Sequence, residues 1–217
     1  MANRGTIRTS LLALLGTSSD DPLYSATVLN PIIQQALDAL LADVQDANPD
    51  YLALPPITLA ADSASSHLYT FASQSTPITD FGKWLDVRYT DEDGTPLAEC
   101  RLDELREFGT DYFTLYGTDE SPILQTSHDS PAGTALYFRY AAWPAELVDD
   151  SSVPAGLSTR YHDVVALEAL FAFGLGGEQQ RPRDLEMRWR DRRAQMLSRV
   201  GRRGIQPSRS RVVAVDL

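Results

Sequence analysis

The chain has one cysteine, Cys100, among its 217 residues, so no intrachain disulfide can form and folding does not depend on an oxidising compartment. Long apolar runs are also missing. Nothing approaches the roughly 18 residues of a membrane span, which excludes a transmembrane helix. The opening stretch, Met1 to Leu15, places Arg4 and Arg8 before a short apolar patch but has no convincing secretory cleavage site. It is taken as an amphipathic helix, and a soluble protein made inside the cell is expected. Histidine is scarce too: His67, His128 and His162 stand at no metal-ligand spacing and Cys100 has no cysteine partner, so neither a metal site nor a cofactor is expected. His162-Asp163 suits an exposed helix start and His128-Asp129 a hydrogen-bonded turn.

Signatures of catalysis are absent as well. No serine sits in a Gly-x-Ser-x-Gly elbow, and Gly174-Leu175-Gly176-Gly177 lacks the Lys-Ser/Thr of a phosphate-binding loop. The acidic turn Asp91 to Asp93 lacks the twelve-residue ligand pattern of a calcium loop. The residues thus offer no positive evidence of catalysis, and a hydrolase whose site these motifs do not mark stays an open alternative.

What is present is a sharp charge asymmetry. Residues 1–180 hold 8 basic and 26 acidic side chains, whereas residues 181–217 hold 11 arginines and 4 acidic residues. Such a body repels nucleic acid, while the arginine segment suits DNA, RNA or an acidic protein partner. The simpler account, favoured on charge alone, pairs that segment with the protein's own acidic body.

The chain is organised around residues 158–200, whose pattern predicts a helical hairpin. Ser158 and Thr159 are cap-type residues. Tyr161, Val164, Val165, Leu167, Leu170 and Phe171 follow at helical spacing on one face, with Glu168 the only charge inside the run. Gly174, Gly176 and Gly177 end that helix, and Pro182 opens a second, bearing Leu185, Trp189, Met196 and Val200 on one stripe. Ahead of the hairpin, residues 1–50 predict a short helix followed by a longer one from about Pro22 to Asp46. Pro31 either kinks the longer helix or marks a true start at Asn30.

From Tyr51 the period becomes alternating. Strands are predicted at 67–71, 84–89 (Leu85, Val87 and Tyr89 sharing a face), 112–116, 123–126 and 134–140, with a short helix over 102–108. The expected fold class is α+β: a helical bundle from residues 1–50 and 146–200, an inserted small antiparallel β-sandwich or barrel at 51–145, and an extended arm at 201–217. Trp84, Tyr112 and Tyr116 are candidates for a subunit or tail interface, because Tyr and Trp are enriched in such contacts. Few basic residues accompany them, which argues against nucleic acid on that surface.

The order of several short motifs resembles the head-to-tail adaptor (connector) proteins of tailed bacteriophages, prophages and gene-transfer particles. They are Arg8-Thr9-Ser10-Leu11-Leu12, Tyr51-Leu52-Ala53-Leu54-Pro55, Asp91 to Leu97 followed by Leu102-Asp103-Glu104-Leu105, Tyr112 to Gly117, Leu136 to Tyr140, and Leu147-Val148-Asp149-Asp150 leading to Tyr161-His162-Asp163-Val164-Val165. The resemblance covers most of residues 6–175. It implies a non-enzymatic virion structural protein of the neck, made in the host cytoplasm. Such a protein forms a homo-oligomeric ring, usually of twelve copies, joining the portal protein to the tail or a stopper protein. Double-stranded DNA passes through the channel, and an acidic wall would not hold DNA, which carries a charge about every 1.7 Å.

Within this frame, residues expected to bind the portal or another partner are Trp189, Arg192, Arg193, Arg199, Arg202, Arg203, Arg209 and Arg211 with Val212, Val213 and Val215. The arm ends in a β-prone segment suited to completing another chain's sheet while arginines pair with acidic groups. The portal is the partner the resemblance implies, with a neighbouring subunit as runner-up. The alternative function is a nucleic-acid-binding factor acting through the same arginines.

Overall fold

The computed structural model describes residues 2–89, 94–118, 121–172, 174–175 and 183–204, the last three of these as backbone. Among them are four α-helices and two β-sheets, with no closed barrel. The chain divides into a helical unit, Met1–Tyr51 with Ala145–Leu217, and a β unit, Leu52–Pro144.

In the helical unit, α1 (Arg4–Leu15) begins with a reciprocal cap. The Asn3 side chain accepts from the Thr6 amide at 2.9 Å, and the Thr6 hydroxyl accepts from the Asn3 amide at 2.7 Å. Gly16 closes the helix in the left-handed region (φ 68°), where glycine pays no Cβ penalty. The second helix, α2 (Ala26–Ala47), follows a single 3₁₀ turn at Pro22–Tyr24 and runs through Pro31. Neither predicted start is used. Asn30 is not a cap because its side-chain oxygen instead accepts from Arg8 Nη1 at 3.0 Å. The proline forfeits one backbone bond, yet Leu29, Ile33, Leu37, Leu40, Leu41 and Val44 are all buried along one side and hold the helix together.

The third helix, α3 (His162–Phe171), departs most from its pattern. All its residues except Asp163 and Phe171 are buried, so it has no solvent face; it packs against α1, α2 and α4 (Arg183–Gly204). Ser158 and Thr159 make no side-chain cap, and the chain enters through a 3₁₀ turn at Thr159–Tyr161. His162 is 2 % exposed rather than a solvated helix start, with ring nitrogens 3.0 Å from the Ala2 carbonyl and 3.3 Å from that of Leu157. Gly174 has φ 70°, the geometry of a helix stop, while Gly176, Gly177 and Pro182 lie outside the described residues. Helix α4 continues to Gly204, four residues past the expected end at Val200, so residues 201–204 are helix rather than arm.

Residues 147–152 cap α1. Ser152 and Asp150 carbonyls accept from the amides of Arg4 and Gly5, at 2.8 and 3.0 Å, which supplies partners to otherwise orphaned helix donors. The Asp150 carboxylate takes both terminal nitrogens of Arg8, at 2.8 and 2.6 Å, and its pKa is held below the usual carboxylate range by that contact.

The β unit contains one three-stranded sheet ordered β1 (Ile57–Leu59), β7 (Leu136–Ala142), β3 (Phe81–Tyr89) and one four-stranded sheet ordered β2 (Leu68–Thr70), β6 (Ser121–Thr126), β5 (Tyr112–Thr118), β4 (Ala98–Glu99). The expectation of purely antiparallel pairing fails at one place, because β4 runs parallel to β5. The chain there leaves one sheet for the other: the Leu97 amide bonds Val87 O, and the Cys100 amide bonds Phe113 O, each at 2.9 Å. Short strands β1 and β4 were not anticipated, since three and two residues show no measurable alternation.

Leu59, Tyr69, Phe71, Val87, Phe113, Leu124, Leu136 and Phe138, drawn from both sheets, form one buried cluster. A register irregularity between Trp84 and Asp86 breaks the simple alternation of β3. Trp84, Val87 and Tyr89 therefore pack on the cluster, and Leu85 does not share that face as expected. The predicted helix over 102–108 is only a 3₁₀ turn at Glu104–Arg106, with Leu105 buried and Leu102 and Phe108 exposed. The acidic turn at 91–93 lies outside the described residues; after it, Pro96 forms an isolated bridge with Arg88.

Candidate interaction surface

The arginine-rich segment becomes visible as α4, and its geometry separates two sets of side chains. One set is turned inward. Trp189 stacks on Phe171 (ring centres 5.5 Å apart, 20° between planes) and donates its indole N–H to Glu168 at 2.7 Å. Arg193 forms an ion pair with Asp43 of α2 and has its Nε 3.6 Å from Glu168. Arg192 grips Asp163 with two nitrogens, at 3.1 and 2.7 Å, donates to the Arg160 carbonyl at 2.6 Å and lies over the Tyr161 ring. Met196 and Val200 are buried along the same stripe, and Asn48 donates to the Val200 carbonyl at 3.2 Å.

Trp189, Arg192 and Arg193, expected among the partner-binding residues, make contacts within the helical unit. The physical reason is Glu168, the acidic residue buried on helix α3. Its residue is 4 % exposed, and burial raises its pKa against the opposing effects of the Trp189 hydrogen bond and the Arg193 charge. A buried carboxylate is tolerated only where donors and a counter-charge reach it, and α4 delivers both. The sequence carried this signal as an acidic residue inside an apolar run, opposite a helix of arginines.

The other set faces solvent. Arg190 is largely exposed and pairs only with Glu186 one turn away, at 2.5 Å; Arg188 is 3.9 Å from Asp163; Arg199 is exposed. Met187, 60 % exposed, stands among them beside an open groove lined by Asp184, Arg188, Asp191 and Gln195. Arg188, Arg190 and Met187 were not singled out from the sequence, where nothing distinguishes them from the inward arginines except the helical phase set by Met196 and Val200. Side chains of Arg202 and Arg203, and all of Arg209, Arg211, Val212, Val213 and Val215, lie outside the described residues.

No protein-family model matches the chain, and no curated protein matches it either.

In the β unit the interface candidates are half-buried. Trp84 meets Phe113 edge-on at 5.2 Å and donates to Glu99 at 3.1 Å, so most of its ring belongs to the core. Tyr112 stacks on exposed Phe108 at 4.8 Å, and Leu102 is exposed as well. Tyr116 lies on the same strand, four residues further along β5. Among the described residues no group of three or more His, Cys, Asp or Glu is arranged to hold a metal ion, and no helix is long and apolar enough to cross a membrane.

Proposed function

We propose that this chain is a virion structural protein of the head-to-tail adaptor kind: a helical bundle carrying an inserted β-sandwich, closing into a homo-oligomeric ring in the virion neck between the portal protein and the tail or stopper. The resemblance in motif order supports the assignment, and one structural observation carries the docking mode. Helix α4 is locked at its base by Trp189, Arg192 and Arg193, buries Met196 and Val200 along one stripe and continues as helix to Gly204. A rigid helix thus leads directly into the segment 205–217, whose sequence holds Arg209, Arg211 and the β-prone Val212-Val213-Ala214-Val215. Basic side chains beside a short apolar strand suit addition to the edge of a partner's sheet, with acidic groups alongside. Ring closure would use the β unit, where Leu102, Phe108, Tyr112 and Tyr116 offer the apolar and aromatic surface that interfaces favour.

The nucleic-acid reading has less support. Two of the arginines it needs are spent on Asp43 and Asp163, and the remaining exposed ones share α4 with Asp184, Glu186 and Asp191.

The test is truncation after Gly204, not after Val200, so that α4 stays whole. The shortened subunit is expected to remain folded and to form rings by mass photometry, but to lose binding to portal complexes. Full portal occupancy by the truncated protein would sink the arm as anchor. Failure of the intact protein to form a ring, alone or on portals, would sink the adaptor reading itself. Salt-sensitive binding of DNA by the intact chain, abolished by the truncation, would favour the alternative.

A further inference from the structure

Two of the three histidines, 61 positions apart in the chain, are neighbours in the β unit. Strand pairing brings them together: Leu68 of β2 faces Gln125 of β6, and the Thr126 amide donates to the His67 carbonyl at 3.0 Å, just before the turn that carries His128. The two rings meet edge to face, with centres 5.3 Å apart and planes at 71°. His67 Nδ1 is buried and has no hydrogen-bond partner. An unmatched buried nitrogen of this kind is costly, and nothing in the packing of the β unit answers it.

The geometry points to a two-histidine site for a divalent transition-metal ion, with His67 and His128 as its protein ligands. Two imidazoles sharing a tetrahedral ion through bonds of about 2.0–2.1 Å hold their ring centres roughly 5 Å apart, the separation already present here. Such an ion would satisfy the orphan nitrogen of His67 as a Lewis acid, where a hydrogen-bond donor is lacking. Imidazole selects zinc, nickel or copper over calcium or magnesium. Access exists, because His128 is exposed and lines an open cleft of about 720 Å³ with Leu102, Asp103, Leu105, Arg106 and Gln125. Water completes the coordination, since no third protein ligand stands within the described residues. The ion would tie the start of β2 to the 127–130 turn, and so fasten the β2 edge of the four-stranded sheet. Along the chain the two histidines stand at no metal-ligand spacing; only the pairing of β2 with β6 brings them together.

The experiment is a zinc titration of the full-length chain, free of any histidine tag and carrying Cys100→Ser to remove the thiol, at neutral pH. Calorimetry reads stoichiometry, and NMR of the three histidine rings reads location, with buried His162 as the internal control. One ion per chain is expected, with shifts at His67 and His128 and none at His162. His128→Gln, an exposed and structurally undemanding change, should weaken binding by about tenfold or more. His67→Gln should do the same, and acidification through the imidazole range should release the ion. Absence of saturable binding below about 1 mM, binding unmoved by His128→Gln, or an ion shared between two chains in sedimentation would each overturn the assignment.

Discussion

In the helical unit, the contacts that fix α4 to the rest are charged and partly wet: Arg192 on Asp163, Arg193 on Asp43, and a buried glutamate answered by an indole. In the β unit the corresponding task falls to rings. Phe138 meets Phe71 at 5.2 Å, Phe81 at 6.1 Å and Tyr140 at 5.6 Å, and tyrosine hydroxyls close the network on neutral or single polar partners. Tyr69 donates to the Thr134 carbonyl at 2.6 Å and Tyr140 to Asp80 at 3.0 Å; burial pushes both hydroxyls up to about 12, so they stay protonated donors. The difference is one of responsiveness. Ion pairs weaken with salt and titrate with pH, whereas apolar packing does neither over the same range. In a protein built this way salt and pH act on the helical unit through the ion pairs that fix α4, while the core of the β unit is held by apolar packing.

The comparison is sharpened first by removing a ring. Phe138 is fully buried between both sheets, so Phe138→Ala should destabilise the β unit by about 3–5 kcal/mol, through lost transfer energy and the cavity left behind. Chemical denaturation at low and high salt should give the same loss. A loss that changed with ionic strength would mean the β unit also leans on charge.

A smaller effect is expected from Trp189→Phe, which keeps a ring over Phe171 but removes the donor to Glu168. Leaving that buried carboxylate one partner short should cost about 1–3 kcal/mol. Because the remaining partner is the half-exposed Arg193, added salt should enlarge the penalty. A variant as stable as the parent at every ionic strength would show that α4 is held by its apolar stripe alone.

These two positions also mark what was legible in the sequence. Element types were largely readable, because the 3.6-residue stripe of Leu37, Leu40, Leu41 and Val44 and the aromatic run at 112–116 are local signals. The role of α4 was not. Trp189, Arg192 and Arg193 look like docking residues when the eye sees only a cationic tail, and they become internal struts only when α2 and α3 bring Asp43, Asp163 and Glu168 to them. Periodicity also misleads where a bulge intervenes, as at Trp84, and where a helix is buried on every side, as in α3. The His67–His128 contact was invisible for a related reason, since it depends on which strands pair.

The smallest effect, and the most specific to the helical unit, concerns the pH dependence contributed by Glu168. Burial raises its pKa in the folded chain, so in the range between its ordinary value and the raised one the native state holds a proton that the unfolded chain has released. Stability from this group is therefore full below the ordinary carboxylate range and is lost as pH rises through the raised value. Asp150 runs the other way: the hydrogen bond from Arg8 lowers its pKa, so its contribution is present above the ordinary range and lost as pH falls through the lowered value. The two slopes lie on opposite sides of the ordinary carboxylate range, and Glu168→Gln isolates the upper one. Glutamine still accepts the Trp189 indole, and Arg193 keeps Asp43, so the main loss is of the titration itself. Subtracting the variant's stability from the parent's, pH by pH, cancels Asp150 and leaves the glutamate. That difference should fall steadily as pH rises above the ordinary carboxylate range and then flatten. A difference that is level, or that climbs with pH, would mean that Arg193 and Trp189 together outweigh burial at this site, and that the charge on α3 is a net support of the helical unit.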